Sequence, residues 1–179
     1  GEVDFTDSLR ERVALLAGQP ESIIERAKER LVLTRGTRTF TRTLRRLGYR
    51  IAVISGGFTQ FTDHLAAELD IDHAHANLLE IRDGVITGEL LGPVVDRRRK
   101  AELLMQIAEA EDVPLTQVVA VGDGANDLDM LAAAGLGIAF NAKPAVNDAA
   151  DASLRVPFLD AILFLLGVTR EEIEAADAS

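Results

Sequence analysis

Two carboxylates lie close together in the segment Val118–Asp129, where an apolar run leads into a glycine-rich turn. Asp123 and Asp127 flank this turn, with Asn126 beside them. The β-branched residues before the turn predict a buried strand. After the turn a helix is predicted, which carries Leu128 and Leu131 on its apolar side. Ligands of open α/β sheets bind at the carboxyl ends of the strands. Carboxylates there suit a hard cation such as Mg²⁺; the alternative is a tight turn whose Asp and Asn cap the helix.

A second candidate segment is Ser55-Gly56-Gly57, which follows the apolar run Ile51–Ile54 and precedes a predicted helix. A hydroxyl and free backbone N–H groups at a helix N-terminus form a natural phosphate site. The alternative is a plain glycine turn. If the strands before this segment and before Asp123 are parallel neighbours, both groups lie on one edge of the sheet.

Cations are the third candidate group. The run Arg97–Lys100 opens a predicted helix, and such a run is most often a solvated face. One cation could instead reach the sheet edge and neutralise a phosphoryl group, and periodicity leaves open which of the four does so. Arg12 lies between apolar positions of the first helix, where it either extends to water or pairs a substrate carboxylate. Phe5 is by default a packing residue.

The elements that would position these groups alternate between strands and helices from residue 34 onward. This alternation predicts an α/β fold, a Rossmann-like parallel sheet with helices on both faces. The predicted strands are Ile51–Ile54, Asp72–Ala76, Val118–Val121, Leu136–Phe140 and Ala152–Val156. The predicted helices are Thr37–Leu47, Phe58–Leu69, Arg97–Ala110, one opening near Asn126, a short one from Pro144, and Leu159–Leu166. A β-hairpin, Leu78–Ile81 with Val85–Leu91, is predicted about Asp83-Gly84, a pair typical of a type I′ turn.

The N-terminal residues differ from this pattern. Two helices are predicted, Asp4–Ala17 with Thr6 or Asp7 as its N-cap, and Glu21–Leu33. No strand is predicted near them, so they form a small helical appendage. The acidic tail at the other end is predicted to fray.

Composition narrows the functional classes. The 179 residues have room for one domain and a small appendage. A net charge of −10 disfavours nucleic-acid binding, and the absence of Cys excludes disulfides and a thiol nucleophile. The apolar run Ala161–Gly167 is too short to span a bilayer, so no membrane span is predicted. A cytoplasmic protein fits these features.

Several motifs occur together in one order. They are Phe5-x-x-Ser8-Leu9-Arg10-x-Arg12-Val13, Val53-Ile-Ser55-Gly56-Gly57-Phe58, Ala76-Asn77, Lys100, Val121-Gly-Asp123-Gly-Ala-Asn126-Asp127, and Ala139-Phe-Asn-Ala-Lys143-Pro144. This set closely resembles the phosphoserine phosphatases of the haloacid dehalogenase-like superfamily, from Phe5 to about Gly167. The resemblance implies a division into residues 1–33, the remainder of a helical cap, residues 34–167, the α/β core, and residues 168–179, the acidic tail.

The resemblance implies roles for the core residues. Ser55, Gly56 and Gly57 would bind the substrate phosphate, together with Asn126. Lys100 would stabilise the phosphate charge and the catalytic aspartate. The substrate would be O-phospho-L-serine, hydrolysed in the last step of L-serine biosynthesis.

The resemblance also implies a cofactor and a role for the cap. Asp123 would ligate Mg²⁺, and Asp127 would support that site as a catalytic and metal-site residue. Arg12 would hold the serine carboxylate, and Phe5 would help to seal the closed site. The phosphoryl group would pass to an aspartate, and the aspartyl-phosphate would then be hydrolysed.

One family feature is not found in these residues. The first motif, Asp-x-Asp-x-Thr, carries the nucleophile, and Asp4-Phe-Thr-Asp7 has the wrong spacing for it. The nucleophile is therefore expected upstream of residue 1, and this chain alone is expected to be inactive. Two alternatives stay open: a phosphatase for another small phosphomonoester such as phosphohomoserine, and a non-catalytic fragment that binds phosphate or a partner. The resemblance also allows a homodimer and upstream regulatory domains.

Overall fold

The computed structural model describes residues 2–178, with side chains from residue 5 onward. Gly1 is the first residue of the predicted segment 1–33, and Ser179 is the last residue of the predicted segment 168–179. Both lie outside the described residues. Strands and helices alternate after α3, which confirms the predicted α/β class. The helices are α1 (Glu2–Ala14), α2 (Ser22–Lys28), α3 (Thr37–Arg46), α4 (Thr59–Leu69), α5 (Arg97–Ala110), α6 (Leu128–Ala133), α7 (Pro144–Ala149), α8 (Ala161–Leu165) and α9 (Arg170–Asp177). The strands are β1 (Ala52–Phe58), β2 (His73–Arg82), β3 (Val85–Leu91), β4 (Val119–Gly122), β5 (Leu136–Phe140) and β6 (Ala152–Leu154).

The strands form two three-stranded sheets, with the orders β1-β2-β3 and β4-β5-β6. β1 and β2 are parallel, as are β4, β5 and β6, while β3 returns antiparallel to β2. β1 and β4 are edge strands, and no hydrogen-bonded ladder joins them within residues 2–178. The parallel strands are thus found as predicted, but they belong to two sheets because β1 and β4 do not pair.

β2 merges two predicted strands, Asp72–Ala76 and Leu78–Ile81, into one. Its first half pairs with β1 and its second half with β3, so the chain needs no break between them. The predicted hairpin turn is confirmed. Asp83 and Gly84 have φ angles of 49° and 74°, and a type I′ turn requires positive φ at both positions.

The cap helices α1 and α2 pack on this hairpin and share its core. Leu9 and Val13, one helical turn apart on α1, are buried in one cluster with Leu79 of β2 and Ile86 of β3. Ile24 joins this cluster from α2. The burial of these aliphatic side chains therefore holds the cap to the core.

Backbone hydrogen bonds fix the turn between α1 and α2 to β3. Gly18 N–H donates to the carbonyl of Ile86, whose own N–H donates to the carbonyl of Gln19, both at 2.9 Å. Gly88 of β3 has a φ of +89°, and a Cβ there would lie 2.8 Å from the Cβ of Ala17. A glycine at this position is therefore needed for the close approach of the cap.

Two predicted helix boundaries in the cap are wrong. α1 already includes Thr6 and Asp7, so neither residue is its N-cap. α2 ends at Lys28 and not at Leu33. Val32 is 92% exposed, so the residues after α2 bury too little apolar surface to stabilise further helical turns.

The prediction that the acidic tail frays is also wrong, because α9 forms there. Thr169 and Glu172 form a capping box, in which each side chain binds the backbone N–H of the other residue. Ala176 is fully buried, and Ile173 packs against a cluster that contains Leu44 of α3. The tail is therefore held by a helix cap and by apolar contacts.

A charged cluster joins β1 and β2 at the end remote from their carboxyl edge. Asp72 accepts hydrogen bonds from Ile51 N–H at 2.8 Å and from Arg50 at 3.1 Å, and Arg45 lies 3.2 Å away. Burial alone would raise the pKa of Asp72, but the Ile51 N–H and the two guanidinium groups together lower this pKa below its ordinary value. The ionised form of Asp72 therefore stabilises the folded state.

We expect Asp72→Asn to lower the free energy of unfolding by about 1 to 3 kcal/mol at neutral pH, because the charge-assisted hydrogen bonds are lost. Folding lowers the pKa of Asp72. The difference in unfolding free energy between variant and parent is therefore fully present above the ordinary pKa of 3.8, and it disappears as the pH falls through the lower folded-state pKa. Urea unfolding over this pH range measures both effects. Asp70→Asn is the matched control, because Asp70 pairs with the same Arg45 but is 79% exposed. Equal losses in the two variants would contradict the role of Asp72.

Candidate active site

A cavity of about 560 Å³ lies between the cap and the edge at which β1 and β4 end. All of the predicted site residues line it, namely Phe5, Arg12, Ser55, Gly56, Gly57, Lys100, Asp123, Asn126 and Asp127. Leu9, Leu16 and Phe58, which the sequence did not assign to the site, add apolar surface. The fold thus brings the predicted residues together, while the role of each stays a prediction.

The segment Ser55–Gly57 is a bulge within β1 and not a turn after it. The register between β1 and β2 shifts between Ile54 and Phe58, so the intervening residues leave the ladder. Gly57 N–H donates to the Ser55 hydroxyl oxygen at 3.0 Å. Because this oxygen accepts that bond, its O–H can still donate to an anion in the cavity. The bulge therefore offers the hydroxyl donor that a phosphate site needs.

Asp127 organises the turn that follows β4. The predicted helix begins there as a single 3₁₀ turn, Ala125–Asp127, before α6. One carboxylate oxygen of Asp127 accepts hydrogen bonds from Asp123 N–H and Gly124 N–H, each at 3.1 Å. A Cβ at Gly122 would lie 2.5 Å from the Cβ of Asp127. The glycine therefore leaves the space that the carboxylate occupies.

Lys100 is the cation of the Arg97–Lys100 run that reaches the site. Its Nζ donates to the other carboxylate oxygen of Asp127 at 2.7 Å, and the two side chains are only 8% and 6% exposed. Arg98 and Arg99 pair with Glu102, and Arg97 pairs with Asp129. Periodicity left open which of the four cations reaches the site and the resemblance implied Lys100, which is the one that the structure places there.

Asp123 differs from Asp127 because its side chain is exposed at the cavity. No hydrogen bond or ion pair of this carboxylate is found among residues 5–178, whose side chains the structure describes. Both oxygens of Asp127 are already engaged by Lys100 and backbone N–H groups. No group of three or more metal-ligating side chains occurs in the described part of the chain. The donor set therefore fits a cation held directly by Asp123, with its other ligands from water, substrate or elsewhere.

The cap supplies a cation and an aromatic ring from α1. The Arg12 side chain is exposed and lines the cavity, and its Nε donates to the carbonyl of Ser8 at 3.1 Å. The ring of Phe5 approaches the bulge so closely that a Cβ at Gly56 would lie 3.5 Å from its Cζ. The cap therefore places a guanidinium, a group that is able to bind a carboxylate, in the same cavity as the candidate phosphate site.

The described helices also bear on membrane insertion. No helix of residues 2–178 combines the length and the apolar character that crossing a bilayer requires.

We expect Asp127→Ala to destabilise the fold by about 3 to 5 kcal/mol, because it leaves the buried Lys100 ammonium without a partner. Adding Lys100→Met to this variant should recover much of the loss, since no unpaired charge then stays buried. Urea unfolding with a metal chelator present measures the effect on the protein alone. A double variant no more stable than Asp127→Ala would contradict the importance of this ion pair.

The chain is similar in sequence to curated phosphatases. It is 59% identical over 177 residues to a phosphoserine phosphatase of Streptomyces coelicolor, a match that covers 99% of this chain and 43% of the relative. It is 60% identical over 178 residues to the phosphoserine phosphatase SerB2 of Mycobacterium tuberculosis, covering 99% of this chain and 44% of that protein. The chain thus spans less than half the length of these two curated relatives.

A solved structure has the same fold. The phospho-aspartyl intermediate analogue of a phosphoserine phosphatase superposes with a TM-score of 0.84 at 40% identity, over 91% of this chain and 77% of that one. The sequence profile of the haloacid dehalogenase-like hydrolases matches residues 1–132, and this range includes the cap, the bulge and the Asp123–Asp127 turn. This chain therefore belongs to the haloacid dehalogenase-like hydrolase family.

Proposed function

We propose that this chain supplies the substrate-binding and charge-stabilising parts of a phosphoserine phosphatase. The reaction hydrolyses O-phospho-L-serine to L-serine and phosphate. A cytoplasmic location belongs to the same proposal, because a chain without Cys has no disulfide framework of a secreted protein. A homodimer and regulatory domains outside this sequence stay predictions.

The observation that supports the proposal is that two sets of groups able to bind anions line one cavity. The cap contributes the guanidinium of Arg12, and the core contributes the Ser55 hydroxyl and the Lys100 ammonium. A guanidinium can bind a carboxylate through two parallel hydrogen bonds, and the core groups suit a phosphate. A small molecule with a carboxylate at one end and a phosphate at the other complements both sites.

The residues of this chain then have distinct tasks. The Ser55 hydroxyl donates to a phosphoryl oxygen, and Lys100 offsets the negative charge that this group brings into the cavity. Asp127 holds Lys100 in place. Asp123 would hold Mg²⁺, which when bound would polarise the phosphoryl group. Asn126 and Gly56 would complete the phosphate contacts.

The nucleophile is proposed to come from outside these 179 residues. An aspartate oxygen would attack phosphorus while the bond from phosphorus to the serine oxygen breaks, and this oxygen would take a proton. Water would then cleave the aspartyl-phosphate, release phosphate and restore the carboxylate. Among the described cavity residues, the carboxylates are Asp123 and Asp127, which the proposal assigns to the metal and to Lys100.

The edges of the two sheets support this location of the nucleophile. β5, which has a neighbour on each side, buries Gly137–Phe140. β1 and β4 also contain apolar side chains, yet Val53, Val119 and Val121 are only half-buried. A strand between β1 and β4 would pair both edges and cover these side chains. Its carboxyl end would then deliver an aspartate to the cavity, if it runs parallel to both.

Phosphate release from O-phospho-L-serine tests the proposal. We expect no Mg²⁺-dependent release by residues 1–179 alone, and release by a version extended upstream to include the Asp-x-Asp motif. Replacing the first aspartate of that motif by Asn in the extended version should abolish release, because the nucleophile is removed. Colorimetric phosphate assays with and without a chelator measure these outcomes.

Three other outcomes of these assays would each contradict a part of the proposed function. Activity of the short chain would contradict the external nucleophile. Activity of the extended version on phosphohomoserine alone would replace the proposed substrate by its longer analogue. Inactivity on every phosphomonoester would favour a chain that only binds phosphate or a partner.

In the extended version, Arg12→Ala should raise the KM for phosphoserine by about 10- to 100-fold, the range expected for a lost hydrogen bond to a charged group. The KM for phosphoethanolamine, which lacks the carboxylate, should not change. Arg10→Ala is the matched control, because Arg10 is an exposed arginine of the same helix that does not line the cavity. Equal effects of Arg12→Ala on both substrates would contradict carboxylate binding.

A further inference from the structure

A buried amide lies behind the candidate phosphate site and does not line the cavity. Asn77 is 1% exposed and lies in β2, at the point where this strand changes its partner from β1 to β3. A buried polar side chain in an apolar strand is costly unless its hydrogen bonds are satisfied. The partners of Asn77 therefore indicate why the fold holds an amide there.

The amide nitrogen of Asn77 binds the bulge. Its Nδ2 donates to the carbonyl oxygens of Gly56 and Gly57, at 2.9 and 3.1 Å. These residues have left the ladder, so the amide replaces the strand partner that their carbonyls lack. The C=O and N–H of a trans peptide unit point in opposite directions. Holding the Gly56 carbonyl therefore directs Gly57 N–H away from β2 and toward the Ser55 hydroxyl, which accepts it.

The amide oxygen of Asn77 binds the segment that precedes α5. Its Oδ1 accepts a hydrogen bond from Val95 N–H at 2.8 Å, and Val95 is itself buried. The next residue, Asp96, caps α5 by accepting from Arg99 N–H at 2.8 Å. Lys100 follows in the first turn of this helix. One side chain thus joins the bulge to the start of the helix that carries the cation.

We propose that Asn77 is a positioning residue, which fixes the Ser55–Gly57 bulge relative to Lys100 so that both act on one phosphate group. This positioning role of Asn77 rests on the proposed function in one respect only, namely that the cavity binds a phosphate group. The identity of the phosphate ester does not affect this role, because Asn77 does not line the cavity.

The test is the affinity of residues 1–179 for inorganic phosphate, measured by isothermal titration well below the melting temperature of each variant. Asn77→Ser leaves room for water to bind the freed backbone groups, so the fold is retained while the fixed geometry is lost. We expect this variant to bind phosphate about tenfold more weakly, which corresponds to one well-placed hydrogen bond to an anion.

Asn147→Ser is the matched control. Asn147 also bridges two elements, since its Nδ2 donates to the Ala142 carbonyl at 2.9 Å and its Oδ1 accepts from Ser153 at 2.7 Å. It does not line the cavity. We expect a comparable fall in melting temperature with unchanged phosphate affinity.

Asn77→Asp distinguishes the two sets of hydrogen bonds of this side chain. It keeps the acceptor for Val95 N–H but loses both donors to the bulge. Amide hydrogen exchange should then become faster at Gly57 and stay slow at Val95. In the extended phosphatase, Asn77→Ser should reduce kcat/KM for phosphoserine and phosphoethanolamine by the same factor, unlike the selective effect of Arg12→Ala.

The outcomes distinguish this inference from the proposed function. Unchanged phosphate affinity in Asn77→Ser overturns the inference, whatever the enzyme hydrolyses. Absence of phosphate binding by the parent chain overturns both. Weakened phosphate binding in Asn77→Ser, with no phosphoserine hydrolysis by the extended version, supports the positioning role and overturns only the substrate.

Discussion

The buried ion pair between Lys100 and Asp127 is the constraint on which the site depends. Two charges removed from water are tolerated only when each finds good partners, and a lone charge left there would be strongly destabilising. Asp127 meets this condition by accepting from Lys100 with one oxygen and from two backbone N–H groups with the other. The same contacts bind α5 to the turn after β4. Asp123 is thereby left at the cavity with a carboxylate that a cation can use.

Short-range features of this site could be predicted from the sequence, because local sterics decide them. The strand before Asp123 follows from a β-branched run, and the Asp83-Gly84 turn follows from two residues that accept positive φ. Periodicity alone does not predict which cation of the Arg97–Lys100 run reaches Asp127, although the family resemblance indicates Lys100. That choice depends on how α5 rotates when Leu103 and Leu104 become buried, which is a property of the packed fold. The residue types therefore indicate the candidate cations, and the packing of α5 places Lys100 at Asp127.

Two errors have the same physical origin. Ser55–Gly57 is predicted to follow the strand that ends at Ile54, yet it is a bulge within β1, where a side chain on the neighbouring strand, Asn77, satisfies its carbonyls. The acidic tail was expected to fray, although Thr169 and Glu172 have the spacing of a capping box. A cap alone gives a short helix little stability, and the contacts with α3 that hold α9 come from residues far away in the sequence. Both features depend on long-range partners.

β2 connects the two ends of the candidate substrate site. Near its middle, Asn77 fixes the bulge, and at its far end the hairpin with β3 holds the turn between the cap helices through backbone bonds to Ile86. The separation between Arg12 and the Ser55 hydroxyl is therefore set through one continuous strand, and not by a flexible linker. In a cavity of fixed length, one additional methylene group changes binding by about 1 to 3 kcal/mol. For the proposed substrate, a separation set through β2 would disfavour the longer analogue, without a residue that contacts the extra methylene.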